Sequence, residues 1–351
     1  MRILLYTDVH VSPSSSLLHS RGTKYSKRLE NIIKSLDWAE ALASEKQCNM
    51  VVCLGDFFDK PFLDCETITA MKEIHWANLP HKLILGNHET SSKDLEYSSA
   101  YLLHSFFDII SNVTKIECSD DLDIICLPYI TEDSRLDFNK YTSISNKNKK
   151  VVFSHNDING IRYGAFVSKE GFNVKDIEEN CELFLNGHLH NQGFVGASNK
   201  ILNLGNLTGQ NFSEDAFKYK HGAWILDTDT LKITFYENPF ALNYYKININ
   251  ALSDLEKIGQ VKNAIITMQC KEQFIDTAKK LIENSNQILA SRITKVQASK
   301  QNINENVNNK STINEHDYLQ DFKTFYEQEI DSGTLAQNEL DIIIGAKEVQ
   351  A

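Results

Sequence analysis

Apolar and β-branched residues gather in short runs along the first half of the chain, at residues 2–7, 50–54, 82–85, 123–127, 151–154 and 182–186. Stretches of helical spacing separate them. Residues 24–44 carry Leu29, Ile32, Ile33, Leu36 and an apolar group at 39–42, which line one face of a helix. Strands alternating with helices predict an α/β fold with a largely central sheet. Later runs at 200–204, 223–226 and 232–236 have no long helix between them and predict antiparallel additions to a second sheet.

The pattern changes after Pro239. Residues 264–268 and 288–296 read as strands around a helix at 272–283, a small βαβ appendage. Residues 299–314 are rich in Asn, Lys and Ser and have little to bury, which predicts a polar linker. Beyond it Tyr318, Leu319, Phe322, Phe325, Tyr326 and Ile330 form one apolar helical stripe, closed by Ser332 and Gly333, and a second short helix is expected over 334–349. The resulting layout is a main domain at 1–240, a capping domain at 241–298, a linker at 299–314 and a helical segment at 315–351. No internal repeat is visible.

Composition narrows the class. With 351 residues and 42% hydrophobic content, the chain can bury a sizeable core and a second, smaller unit. The apolar start is too short for a signal peptide, and no run approaches the roughly 20 residues of a membrane span, so a cytoplasmic protein without membrane association is expected. Seven cysteines, odd in number and without a CxxC pair, read as reduced thiols filling core positions. The formal charge of −11 is unevenly placed: residues 301–351 hold ten acids against three bases, leaving −4 for the other 300 residues. The acidity therefore marks the tail, and a basic protein partner suits it.

Chemistry concentrates at five places, each after an expected strand. They are Asp8-Val9-His10, Gly55-Asp56-Phe57-Phe58-Asp59, Gly86-Asn87-His88-Glu89, Ser154-His155 and Gly187-His188-Leu189-His190. Ligands of open α/β sheets collect at the carboxyl ends of strands, so the five converge on one rim. Carboxylates, imidazoles and an amide oxygen suit manganese, iron or zinc, with no thiolate on offer. The i, i+2 spacing in DxH and HxH puts two side chains on one side of an extended segment. The glycines before Asp56, Asn87 and His188 allow sharp turns. Arg21, Lys24, Lys27 and Arg28, near the first motif, read either as contacts for DNA phosphates or as a solvated helix face. No Walker-type phosphate loop is present.

The order DxH, GDxxD, GNH(D/E), H, GHxH resembles the calcineurin-like metallophosphoesterase superfamily. Within it the chain is most similar to the nuclease subunit of SbcCD-type DNA double-strand-break repair complexes, especially the short bacteriophage recombination endonucleases. The motifs span residues 8–190, and the domain layout extends the likeness over nearly the whole chain. The resemblance implies an α/β two-sheet metallophosphoesterase sandwich flanked by helices, with a small α+β capping domain and a C-terminal helical segment. It implies two divalent ions, manganese foremost: Asp8, His10 and His190 on one, Asn87, His155 and His188 on the other, and Asp56 bridging. Such a pair, about 3.5–4 Å apart, activates water and stabilises the attacking and leaving oxygens. His88 is the implied catalytic histidine, with Asp59 and Glu89 behind the ligands; Glu89 stands where nuclease relatives have Asp and is expected to orient an imidazole. The implied partners are DNA and an SMC-like ABC-type ATPase, bound through the stripe Tyr318–Ile330, with the nuclease subunit a homodimer inside a heterotetramer. Serine/threonine phosphatases follow GDxxD and GNHE with Arg, whereas Lys60 and Thr90 stand here; Pro61 and the Phe57-Phe58 pair are nuclease-like. Residues 11–16 depart from the nuclease pattern. A phosphatase or phosphodiesterase acting on a protein or small molecule is the alternative.

Overall fold

The computed structural model describes residues 1–296, apart from residues 92–94, 96, 132–134, 136, 164 and 165. The expected linker, the aromatic stripe and the last helix lie outside the described residues. Numbered in chain order, the first six-stranded sheet runs β14 (Lys232–Glu237), β13 (Gly222–Asp227), β1 (Arg2–Tyr6), β2 (Met50–Cys53), β3 (His81–Ile84), β4 (Phe107–Ile110). The second runs β11 (Gly193–Val195), β12 (Ile201–Asn203), β10 (Leu183–Asn186), β7 (Lys149–Ser154), β6 (Leu122–Leu127), β5 (Thr114–Glu117). β1 to β4 are mutually parallel, as are β6, β7, β10 and β12. A short hairpin joins β8 (Arg162–Tyr163) to β9 (Phe166–Val167).

The inner faces meet in one apolar layer. Ile3, Leu5, Val52 and Ile84 of the first sheet pack with Ile124, Val151, Phe153 and Leu185 of the second. Alternate residues of the same strands face outward under helices. Leu4, Tyr6, Val51 and Leu83 lie beneath α1 (Lys27–Glu45), and Ile125, Val152 and Phe184 lie beneath α3 (Phe138–Thr142) and α4 (Val174–Asn180). Burial of both faces explains why these strands read as unbroken apolar runs. Helix α1 starts where Ser26 Oγ accepts the backbone N–H of Leu29. A shorter helix, α2 (Cys65–Ala70), follows β2.

Two expectations about the sheets change. β13 and β14, the runs at 223–226 and 232–236, are antiparallel as expected but extend the first sheet, because β13 pairs with β1. The run at 200–204 does join the second sheet, but parallel to β10. The appendage is larger than a single βαβ: β15 (Asn243–Ile249), β16 (Ala264–Cys270) and β17 (Ile288–Lys295) form a three-stranded parallel sheet, with α5 (Glu256–Gly259) and α6 (Ile275–Glu283) as its crossovers. β15 escapes the pattern because Lys246 and Asn248 alternate outward between its buried Tyr245, Ile247 and Ile249. Cys48, Cys53, Cys126, Cys181 and Cys270 are buried free thiols, but Cys65 is exposed and Cys118 half-buried.

Candidate metal centre

The five motifs leave the carboxyl ends of β1, β2, β3, β7 and β10, and all five arrive at one rim. The chain turns sharply there. Asp8, His10, Asp56 and His188 have φ of 51°, 48°, 50° and 74°, a left-handed conformation that costs a non-glycine residue about 1–3 kcal/mol and gathers at functional sites. Glycines make the turns possible in two ways. Gly55 itself has φ 96°, whereas a Cβ at Gly86 would fall on Asp56 Oδ1. Close approach, rather than turning, explains that second glycine.

Three overlapping groups result. Asp8, His10 and His190 bring ligand atoms together on one side, Asp56, His155 and His188 on the other, and His10, Asp56 and His88 form a third that shares members with both. Each imidazole has one nitrogen held by an oxygen outside the cluster. His10 Nδ1 lies 3.4 Å from Asp59 Oδ1, and His190 Nδ1 is 2.8 Å from Glu214 Oε1. His155 Nδ1 donates to Leu54 O at 2.6 Å, and His188 Nε2 to Asp157 Oδ1 at 3.0 Å. The other nitrogen of each ring is then a bare lone pair, and each lone pair faces another acceptor. His10 Nε2 and His190 Nε2 are 3.1 Å apart, His188 Nδ1 is 3.1 Å from Asn87 Oδ1, and His155 Nε2 is 3.1 Å from Asp56 Oδ2. The buried Asp8 Oδ1 has no hydrogen-bond partner. Acceptors facing acceptors in a buried space call for cations, so this donor set fits divalent metal ions. Burial opposes a charge on His155, but the Asp56 carboxylate outweighs it and pushes the imidazole up to about 10, so the nitrogen facing Asp56 takes up either a proton or a metal cation.

The carboxylates behind the ligands differ from expectation. Asp59 does back the ligands, standing by His10 while its Oδ1 accepts Gln210 Nε2 at 2.8 Å. Glu89 orients no imidazole. It is fully buried and accepts the backbone N–H groups of Phe57, of Phe58 at 3.3 Å and of Gly86 at 3.0 Å, so it clamps the backbone around Asp56 instead. Burial, with Asp56 beside it, pushes its carboxyl up to about 8. Sequence reasoning missed Asp157, Glu214 and Thr7, whose Oγ1 donates to Asp8 Oδ2 at 2.7 Å. Asp157 follows His155 by two residues, an HxD spacing that could have flagged it.

His88 stands at the mouth of the site. Its Nδ1 donates to Asp59 O at 3.0 Å, and Nε2 lies 4.0 Å from Asp56 Oδ2 on a side chain 42% exposed. The ring meets His10 edge-on, with centroids 4.7 Å apart. Of the four basic candidates, Arg28 is no surface residue. It is completely buried, donating to Gly209 O at 2.6 Å and Val9 O at 3.1 Å, and so pins two loops of the site together. Arg21 and Lys24 are exposed but paired with Glu66 and Glu73, while Lys27 is exposed without an ion pair among the described residues.

A two-sheet α/β sandwich with imidazole, carboxylate and amide ligands at its strand ends defines a metal-dependent phosphoester hydrolase. The chain belongs to the calcineurin-like phosphoesterase family, whose model matches residues 1–192, and the family binds two divalent metal ions. Among solved structures it is similar to a dimetal phosphatase from Danio rerio (12% identity, 64% of this chain and 91% of that one, TM-score 0.43). A putative 5'-nucleotidase from Staphylococcus aureus is also similar (13%, 67% and 52%, TM-score 0.38), as is a calcineurin-like phosphoesterase from Bacillus subtilis (11%, 68% and 88%, TM-score 0.36). No curated protein matches the sequence. Among the described residues no helix is long and apolar enough to cross a membrane.

Proposed function

We propose that this chain is a metal-dependent DNA nuclease subunit, cutting phosphodiester bonds in concert with an SMC-like ATPase in the cytoplasm. The observation that carries the hydrolytic reading is the pair of acceptor-lined clusters sharing Asp56 beneath the exposed His88. Asp8, His10 and His190 would hold one ion and Asn87, His155 and His188 the other, with Asp56 available to both. Manganese suits the mixed oxygen and nitrogen donors. Bound there, the two ions activate water and neutralise charge on the attacking and leaving oxygens. His88 has Nδ1 fixed on Asp59 O, and its Nε2, 4.0 Å from Asp56 Oδ2, is left for a proton that it can give to a leaving oxygen.

The choice of DNA rests on the sequence resemblance: Phe57-Phe58, Pro61, and Lys60 and Thr90 in place of the phosphatase arginines. Exposed Phe62, Tyr101 and Leu102 belong to segments joined near the site by Ser99 Oγ donating to Lys60 O, and they suit contact with a second copy, consistent with a homodimer. One observation favours the alternative, a phosphatase or phosphodiesterase for proteins or small molecules: Arg28 is buried and Arg21 and Lys24 are paired, so of the four basic candidates Lys27 alone is left exposed without an ion pair among the described residues. Assaying the full chain with manganese on linear duplex DNA and on a phosphopeptide separates the two. Cleavage of DNA alone is expected, and turnover of the phosphopeptide alone overturns the nuclease reading.

A further inference from the structure

A second cleft lies at the other end of the first sheet, between the C-terminal end of α1 and the outer face of β13 and β14. It has a volume of about 400 Å³ and is lined by Arg2, Lys46 and Lys232, by Ile225 and Tyr236, and by Asp227. Arg2 opens β1 and Asp8 follows its end, so roughly 20 Å of extended chain separates this cleft from the metal centre. The carboxylates nearby are engaged in the turn from β13 to β14. Asp227 Oδ1 accepts the backbone N–H groups of Asp229 and Thr230 at 3.1 Å, and Asp229 meets the N-terminal ammonium at 3.0 Å. The cations are freer. Arg2 Nε stays 3.8 Å from Asp227 Oδ2, beyond hydrogen-bonding distance, while Arg2 Nη1 donates to Lys46 O at 3.2 Å and so keeps the two residues side by side. Lys46 Nζ pairs with its exposed chain neighbour Glu45, a contact that contributes little in water, and stands 5.4 Å from the centroid of the Tyr236 ring. Lys232 is exposed, with no ion pair among the described residues.

Three cations thus adjoin an aromatic ring and the buried Ile225. We propose that this cleft binds a nucleoside monophosphate, with the phosphate among Arg2, Lys46 and Lys232 and the base against Tyr236. Arginine and lysine are the usual partners of phosphate oxygens, and a tyrosine ring stacks on the face of any base. The volume is near the lower end of what small-ligand pockets span, which suits one nucleotide rather than a strand. The site needs neither the metal ions nor the nuclease reading.

Calorimetric titration of the full chain with deoxyadenosine monophosphate, in buffer without added metal, tests it. One nucleotide per chain is expected, with deoxyadenosine and inorganic phosphate each binding at least about tenfold more weakly, because each lacks one half of the contacts. Lys232→Glu should weaken nucleotide binding by about tenfold or more, the worth of a charge-assisted hydrogen bond, and Tyr236→Leu by about fivefold or more through lost stacking. Melting curves matching wild type show that both variants are folded, and manganese-dependent hydrolysis by Lys232→Glu should be unchanged. Asp56→Ala should bind the nucleotide as wild type does. Inorganic phosphate binding as tightly as the nucleotide, or undiminished nucleotide binding in Lys232→Glu, overturns the proposal. Loss of binding in Asp56→Ala alone would put the nucleotide at the strand-end rim and overturn it too, while the metal-centre reading stands.

Discussion

At the scale of single residues, Asp56 and His88 separate binding from chemistry. Asp56 Oδ2 lies 3.1 Å from His155 Nε2 and 3.9 Å from His10 Nε2, so one oxygen faces both clusters. Its other oxygen accepts the backbone N–H of His88 at 3.0 Å, which ties the bridge to the next motif. Asp56→Ala should therefore empty both positions and abolish turnover; elemental analysis that still finds two tightly held manganese ions rules out the bridge. His88 is the reverse case. Its Nδ1 is committed to a backbone carbonyl, leaving Nε2 for the substrate. His88→Asn should keep both ions and substrate binding while kcat falls by about 10²–10⁴-fold, the usual worth of general acid help. Metal loss in parallel with activity would instead make His88 a ligand.

At the scale of elements, the site is a property of strand ends, and this is why so much of it was legible. A parallel strand buried on both faces announces itself as an apolar run, and the polar residues just beyond it can only sit on the rim. Asp8, Asp56, Asn87, His155 and His188 were placed by that rule alone. Asp157 and Glu214 were not, because an acid in a loop carries no period. Glu214 stands 24 residues beyond His190, and only the fold brings the two within hydrogen-bonding distance. Arg28 misled for a related reason: a helix pattern shows which residues share a face but not which loops will cover its first turn. Glu89 works at this scale too, joining the turns after β2 and β3 through three backbone N–H groups. Glu89→Ala leaves those donors buried without a partner, at about 1–3 kcal/mol for each unmet group. A lowered denaturation midpoint is expected, and metal affinity should fall with it as Asp56 loosens. An unchanged midpoint would show that the clamp contributes nothing.

At the scale of the whole molecule, residues Met1–Gln297 form one compact unit in which the small parallel sheet is built into the catalytic domain. Gly209 N donates to Leu242 O at 3.0 Å, Leu242 N donates to Thr208 Oγ1 at 2.9 Å, and Ser15 Oγ meets Tyr244 OH. Leu18, Leu242, Tyr244 and Ile265 share a small apolar cluster at this junction. Among the described residues, the contacts at the metal site all fall within this unit. Beyond the described residues the sequence carries the stripe of Tyr318, Leu319, Phe322, Phe325, Tyr326 and Ile330 at helical spacing, and a helix of that length would not persist in water without a surface to cover it. Aromatic anchors on a short amphipathic helix are the features of a helix that docks in a partner's groove. A chain ending near Asn302 should consequently fold with an unaltered melting curve and retain slow manganese-dependent cleavage of DNA, yet fail to bind the ATPase in a pull-down. Phe322→Ala combined with Phe325→Ala should reproduce that loss in the full chain. The alternative is that the stripe folds back on its own domain. In that case truncation would lower the melting temperature, because the apolar surface it covered would be left in water, and ATPase binding would survive.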